Sequence, residues 1–392
     1  NNIVSIGTAV FFNTWNLTSF TIPDTIESLG FYIFKQSGLE TIIFEENVSL
    51  KNIPNETFAG TKLNTFTLPA SVTKIGTSAF QNTTTLTSFI IPYDSLLTSI
   101  GNQVFTGTNI TNVLYIQNNT TLLYYPTSLT DTSFTIPEIV TSIGSSAFEN
   151  VSRLTSINIS ANVTSIGANA FKNATGLTSI TIPAKVTSIG ANAFYQATSL
   201  ETVTFETGSQ LTSIGNDAFV SSGLTSIDIP AIVTSIGASA FNGVSNLTSI
   251  NVDQSNTFYK DINGVLFNYS GTTLIQYPLG NIITTYEIPE GAEIISTEAF
   301  KYNNINSPVS LEYITLPSTM KNVGTSLMYL SNLIGITVDQ SNTSYKDISN
   351  VLFDFQETIL IQYPPNNTRT TYEIPTSVTE IGANAFDLNF SS

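Results

Sequence analysis

Asp253, Ser255, Asn256 and Asp261 come nearest to a metal-binding set in this sequence, and they recur as Asp339, Ser341, Asn342 and Asp347. Oxygen ligands two residues apart suit the hard Ca2+ ion. The segment lacks the terminal bidentate Glu and the spacing of an EF-hand loop. Asp and Asn side chains also stabilise turns by bonding their own backbone, so turns and no metal are expected here. Acid–base chemistry has less to work with. The chain has no His and no Cys, which removes the usual general base and the thiol nucleophile and excludes disulfides and thiolate metal sites. No local motif marks a Ser–Lys pair, and the scattered carboxylates define no paired acid and base. GxGxxG, P-loop and zinc spacings do not occur. We expect no catalytic residue and no cofactor.

Contact chemistry remains. Tyr259, Tyr277, Tyr345 and Tyr363 would supply large, stiff contact area if exposed. A second candidate is the row of residues at the middle of successive I-x-I triplets: Thr21, Ile43, Thr67, Ile90, Thr135, Asn158, Thr181, Thr204, Asp228, Asn251, Glu287, Thr315, Thr337 and Glu373. The ten from Thr135 onward form the candidate binding stripe, which turns more acidic after residue 220. Thr is also what a solvent-facing strand favours without any ligand, and that plain reading stands beside the binding one.

Both candidates depend on the elements that hold them. The reference stretch is 177–199, LTSITIPAKVTSIGANAFYQATS. Ile180 and Ile182 alternate with Ser179 and Thr181, a strand with one buried face. Pro183 removes a ladder donor and ends it. Val186 and Ile189 bring the chain back across the core, and Gly190 is read as relieving a turn of Cβ strain. Ala193 and Phe194 close the coil on a short helical or 3-10 turn. One coil cannot bury its apolar side alone, but a stack can, so the period predicts a solenoid. A glycine with an aromatic four residues later recurs from Gly7/Phe11 to Gly382/Phe386, thirteen registers in all; Pro54 and Ser296 replace two glycines, and Met328 one aromatic. The step is 22 to 25 residues in eight of the twelve intervals.

The spelling LxxIxIPxxVTSIGxxAF resembles the BspA-type (Treponema pallidum-type) leucine-rich repeat, a 23-residue class of surface proteins in mucosal anaerobic bacteria and flagellated protozoan parasites. The resemblance covers nearly the whole chain. It implies a leucine-rich-repeat solenoid, mainly β, with a parallel sheet on one face and short turns on the other. It also implies adhesion to host or microbial surfaces and no catalytic residue.

Composition agrees with an elongated scaffold. Charged residues are 10% of the chain, against about 25% in ordinary globular proteins, while apolar residues at 41% suffice for a continuous core. The net charge of -16 makes nucleic acid and anionic membranes poor partners. The sequence shows no signal peptide or transmembrane span. Because it opens and stops within repeats, we expect a piece of a longer protein whose export signal and anchor lie elsewhere. Sixteen Asn-x-Ser/Thr sequons, among them Asn16, Asn82, Asn158, Asn246 and Asn342, would be glycan acceptors in a secreted eukaryotic glycoprotein. Trp15, near the chain start, is expected to cover a core edge.

One solenoid over 1–392 is expected, with inserted hairpin modules at about 112–134, 253–285 and 339–371. The last two are copies offset by 86 residues, with Val265-Leu266-Phe267 and Gln276-Tyr277-Pro278 matching Val351-Leu352-Phe353 and Gln362-Tyr363-Pro364. Val265 to Phe267 and Leu274 to Tyr277 flank a turn rich in Asn, Ser and Gly, which reads as a β-hairpin. The modules are expected to project from one side, carrying their tyrosines. The expected function is a cell-surface or secreted adhesion protein that binds an extracellular protein or glycan. The alternative is a stalk, filament or surface-layer protein that self-assembles.

Overall fold

Each unit folds into a coil with two short strands and a turn. In the coil at 224–246, Ser226–Ile229 is the first strand and alternates exposed with buried residues. Pro230 follows, and Ser235–Ile236 is the second strand. Leu224, Ile227, Ile229, Val233, Ala240 and Phe241 all point into the core. The structure, a computed structural model, describes residues 2–116, 120–302 and 309–386. Residues 117–119 of the first expected module lie outside the described residues. Two compact units are distinguished: Asn1–Leu177 with Lys185–Tyr195, and Thr178–Ala184 with Gln196–Ser392.

Both strands of a coil pair in parallel with their counterparts, so a unit has two lines of strands. In the first unit, first strands pair as Ser19–Ile22 with Thr41–Phe44, Thr65–Thr67 with Ser88–Ile90, and Ser133–Thr135 with Ser156–Asn158. In the second unit they pair as Ser179–Ile182 with Thr202–Phe205 and Ser226–Ile229 with Ser249–Val252, followed by a triplet of Thr285–Glu287, Tyr313–Leu316 and Gly335–Val338. The first-strand line is thus divided into pairs and a triplet, not one continuous sheet. Second strands such as Ser142–Ile143, Ser165–Ile166 and Ser188–Ile189 form the other line.

The turns are built differently from helical turns. Among the described residues the one 3-10 helix is Ser326–Tyr329. Elsewhere two residues per turn take the left-handed conformation, as Asn169 (φ 56°) and Asn173 (φ 56°) do. Their N–H groups, with that of Phe171 between them, donate to the carbonyls of Ala191, Tyr195 and Ala193 one coil on, at 2.7 to 2.9 Å. This ladder explains the Asn, Ser and Gly two and six residues after the register glycine, since these types tolerate positive φ. The register glycine has another role. Gly190 is not left-handed, but a Cβ there would stand 2.5 Å from the Ala168 backbone nitrogen. At Gly7 the nearest such contact is a methyl of Val10 at 3.8 Å. At Gly190 close approach between coils, not turn strain, selects the glycine; Gly324 is the opposite case, left-handed at φ 54° with its nearest Cβ contact at 3.4 Å.

Behind the turns the aromatics stack. In the first unit Phe11, Phe34, Phe58, Phe80 and Phe105 lie 5.2 to 5.8 Å apart centroid to centroid. Tyr125, Phe148, Phe171 and Phe194 follow at 5.0 to 5.3 Å. In the second unit Phe219 stacks on Phe241 at 5.7 Å. Burying one such ring contributes about 1.5–3 kcal/mol.

The inserted modules feed the same stack. Tyr259–Ile262, Val265–Asn268 and Thr273–Gln276 run antiparallel in succession, and the last pairs in parallel with Ile294–Ile295. The hairpin is therefore joined by a third strand, and its final strand sits in the second-strand line. The N–H of Tyr277 donates to Ala299 O at 2.9 Å, and its ring lies 5.3 Å from Phe300. Tyr363 repeats this with Phe386 at 5.1 Å, and Tyr125 with Phe148 at 5.3 Å. Each module closes a coil and supplies a ladder ring, so it is not simply a projection. Ser296 replaces a register glycine where the preceding coil is of this kind. There the glycine is under less constraint: a Cβ at Gly382, in the matching place, would lie 3.1 Å from the nearest atom, Leu360 O.

Candidate binding site

Within each unit the middle residues of paired first strands lie side by side. Thr135 lies beside Asn158, Thr181 beside Thr204, and Asp228 beside Asn251, and all six are exposed. The Asn251 amide donates to Asp228 Oδ1 at 2.7 Å. Glu287, Thr315 and Thr337 share a register. The last two are half-buried, with hydroxyls 2.8 Å apart. Glu373 is exposed but lies outside any strand. Thr21 and Thr67 extend the row in the first unit, where Ile43 and Ile90 interrupt it with exposed apolar side chains.

The row deepens where the first-strand line is broken. Thr202–Phe205 and Ser226–Ile229 belong to separate sheets. The groove there, about 550 Å3, is lined by Thr204, Glu206, Ser209, Asp228, Asn251 and Asp253. Its coil is two residues longer than the 23-residue unit and carries Phe205-Glu206 where Ile229-Pro230 stands in the next. Glu206 Oε2 accepts the N–H of Ala184 at 3.0 Å. The first unit repeats the device: Glu45 Oε2 accepts the N–H of Asp24 at 3.1 Å, beside a groove of about 550 Å3 lined by Thr41, Glu45, Thr65 and Thr67. Neither groove was foreseen from sequence. The signal was present in the lengthened coils, in which Glu45 and Glu206 replace the proline that ends the first strand.

Asp253 and Asp339 are held in turns. The Ser255 N–H donates to Asp253 Oδ1 at 2.8 Å and the Ser341 N–H to Asp339 Oδ1 at 2.7 Å. Asp261 and Asp347 accept the N–H groups of Val252 and Val338, each at 2.9 Å. Asn256 and Asn342 are buried locks. The Asn342 amide donates to Pro317 O and Met320 O while its oxygen accepts from Ser344 and Tyr345 N–H, at 2.7 to 3.1 Å. At 2% exposure Asn342 is closed to glycan transfer, which corrects its reading as a sequon; Asn16, Asn82, Asn158 and Asn246 are exposed. Among the described residues no cluster of acidic side chains is arranged to hold a metal ion.

The four tyrosines are placed against the expectation of an exposed contact surface. Tyr277 is fully buried in the ladder, and Tyr363 packs on Tyr372 at 4.8 Å. The Tyr259 hydroxyl accepts the Ile236 N–H at 3.0 Å, and that of Tyr345 donates to Lys321 O at 3.0 Å. All four brace coils. The exposed aromatics of the first full module are instead Phe258 and Tyr269, joined by a 2.8 Å backbone bond. Trp15 is 67% exposed and covers no core edge. The perturbed groups are structural too. Burial, with Asp131 beside it, pushes the Tyr125 hydroxyl up to about 12, and burial raises Tyr277 and Tyr286. Burial alone would raise the Asp354 carboxyl, but hydrogen bonds from Ile359 and Thr358 hold it below the usual range.

The model of the BspA type leucine rich repeat region matches residues 4–128, 123–248, 164–282 and 279–391. The chain belongs to the BspA-type leucine-rich repeat family. Among solved structures, this BspA-type chain is similar to a leucine rich cell surface protein from Faecalibacterium prausnitzii (26% identity, 86% of this chain and 74% of that one, TM-score 0.48). It is also similar to the pneumococcal vaccine antigen PcpA (19% identity, 83% and 75% covered, TM-score 0.41). A third is a leucine-rich repeat protein from Bacteroides ovatus (21% identity, 82% and 75% covered, TM-score 0.41). No curated protein matches the BspA-type chain. None of its described helices is long and apolar enough to cross a membrane.

Proposed function

We propose that this chain is the binding region of a cell-surface or secreted adhesion protein. It engages an extracellular protein or glycan through the exposed middle residues of its first strands and has no catalytic role. The observation that carries the reading is the groove at Thr204, Asp228 and Asn251, where adjacent strands present hydroxyl, carboxylate and amide groups side by side. Such groups hydrogen-bond a partner without needing a nucleophile or base, and sites held on strands are more precise than sites on loops. The BspA-type repeat implies the same role through its adhesive members. Matrix proteins and glycans should be screened against the intact chain. A hit should be weakened at least tenfold by Asp228→Arg with melting unchanged. A hit that this substitution and Thr204→Arg both leave intact would overturn the strand-face reading.

A further inference from the structure

In the first unit the groove between Thr41–Phe44 and Thr65–Thr67, about 550 Å3, has open strand edges on its two sides. Thr41–Phe44 pairs with Ser19–Ile22 and Thr65–Thr67 with Ser88–Ile90, and the two pairs belong to separate sheets. Successive residues of a strand turn their N–H and C=O groups to opposite sides. The N–H groups of Thr41 and Glu45 donate to Thr18 O and Ile22 O, each at 3.0 Å, so those of Ile42 and Phe44 face the groove. The Leu68 N–H donates to Ile90 O at 2.9 Å, so those of Thr65 and Thr67 face the groove from its other side. Among the described residues none of these four N–H groups has an acceptor. Two rows of free donors and acceptors result, the pattern by which an exposed sheet edge takes on another strand.

The side chains narrow the choice of strand. Half-buried Ile42 and Phe44 and buried Val48 and Leu68 give the groove apolar lining. Ile43, on the outer face of the same strand, is 51% exposed. Glu40 and Glu45 flank that strand at its two ends, about 16 Å apart at the usual rise per residue. Both line the groove, and among the described residues no Lys or Arg does. One oxygen of Glu45 accepts the Asp24 N–H, while the exposed Glu40 carboxylate has no partner among the described residues.

We propose that this groove takes up an extended, basic segment of a partner protein as an added strand. Its main chain pairs with the open edges at Ile42, Phe44, Thr65 and Thr67, its apolar side chains lie over the apolar lining, and Lys or Arg side chains at its ends meet Glu40 and Glu45. An extended main chain matches rows of N–H and C=O groups at strand spacing; a glycan carries no such row. The two carboxylates and the net charge of -16 favour a basic segment over an acidic one. The site is separate from the groove at Asp228, and the inference does not rest on the reading of that groove.

The test is fluorescence anisotropy of three labelled peptides titrated with the intact chain: Lys-Val-Thr-Val-Lys, its charge-reversed form Glu-Val-Thr-Val-Glu, and the basic peptide N-methylated at both valines. The basic peptide should bind saturably with a Kd of about 10–100 μM, and the acidic one about tenfold more weakly. The N-methylated peptide keeps the charge but loses the donors along one edge, so it should also bind about tenfold more weakly. Thr67→Pro removes a donor that faces the groove and no ladder bond, a place where an edge strand accepts proline; it should weaken binding about tenfold. Glu40→Lys should weaken it about fivefold, and Asp228→Arg should leave it unchanged. No saturable binding of the basic peptide at about 1 mM would overturn the proposal. Equal binding of the N-methylated peptide would do the same, because charge alone would then account for the attraction. Binding untouched by both Thr67→Pro and Glu40→Lys would overturn it as well. If Thr67→Pro melts early, the N-methyl comparison on the unaltered chain decides.

Discussion

The regular coils of the first unit and the inserted modules of the second solve one packing problem by two routes. In a regular coil the ring is Phe171, whose N–H donates to Ala193 O at 2.7 Å. In a module it is Tyr277, whose N–H donates to Ala299 O at 2.9 Å. The regular coil reaches the ladder from its short second strand, Ser165–Ile166, through a tight turn. The module reaches it through three antiparallel strands anchored by a buried asparagine. A ring recurs at the ladder position, Met328 excepted, because it packs on the ring of a neighbouring coil, as Phe171 does on Phe194 and Tyr277 on Phe300. The path leading to it is free to lengthen, because extra chain on the surface has a small entropic cost. The routes differ in one energetic respect: the module's ring carries a buried hydroxyl with no partner.

The largest test of this equivalence is truncation of the ring. Phe194→Ala and Tyr277→Ala should each cost about 3–5 kcal/mol in denaturant melts, as buried aromatic truncations do. A cost below about 1 kcal/mol at either position would show that the two routes do not share a ladder. Next comes the lock that only the modules have. Asn342→Ala removes four hydrogen bonds and should cost about 2–4 kcal/mol, whereas the exposed Asn158→Ala should stay within about 0.5 kcal/mol. The glycine contrast is smaller. Gly190→Ala meets the backbone of the preceding coil and should cost about 1–3 kcal/mol, while Gly7→Ala, whose added methyl would make only an ordinary 3.8 Å contact with Val10, should be nearly neutral in thermal melts.

The ring hydroxyl gives a gain, not a loss. Tyr277→Phe removes an unpartnered buried group and should stabilise the protein by about 1 kcal/mol. It also bears on pH. The folded-state pKa values of Tyr125, Tyr277 and Tyr286 are raised above the unfolded value near 10. The stability linked to their protonation is whole below pH ~10 and is lost as pH rises from there through the raised values. The double variant Tyr277→Phe and Tyr286→Phe should therefore unfold at a higher alkaline midpoint, and an unmoved midpoint would break the linkage. Phe134, in the place of Tyr286 in the first module, packs on Tyr125 at 4.9 Å and shows that the hydroxyl is dispensable there. The smallest stability effect belongs to the strand face: Thr181→Ala should change stability by less than about 0.5 kcal/mol.

Much of the fold was legible in one dimension. Strand alternation around Ile227 and Ile229, the stop at Pro230, the aromatic four residues after the register glycine and the 86-residue duplication are local or periodic signals, and a stacked repeat turns local signals into architecture. The exposure of Thr135, Asn158, Thr181, Thr204, Asp228 and Asn251 was legible for the same reason, since alternation assigns the face. What escaped depended on the neighbouring coil. Gly190 looks like a turn glycine, but the backbone of Ala168 decides its role. Asn342 reads as a sequon and Tyr277 as a contact residue, yet the coils packed around them bury both. Trp15 looks like a cover and stands in solvent. The grooves beside Glu45 and Glu206 arise between strands of adjacent coils. Alternation and period act along the chain, so the sequence by itself determined the coil and its faces. Close approach, burial and cavities act across coils some 23 residues apart, so only the tertiary structure decided which side chains remain free to bind.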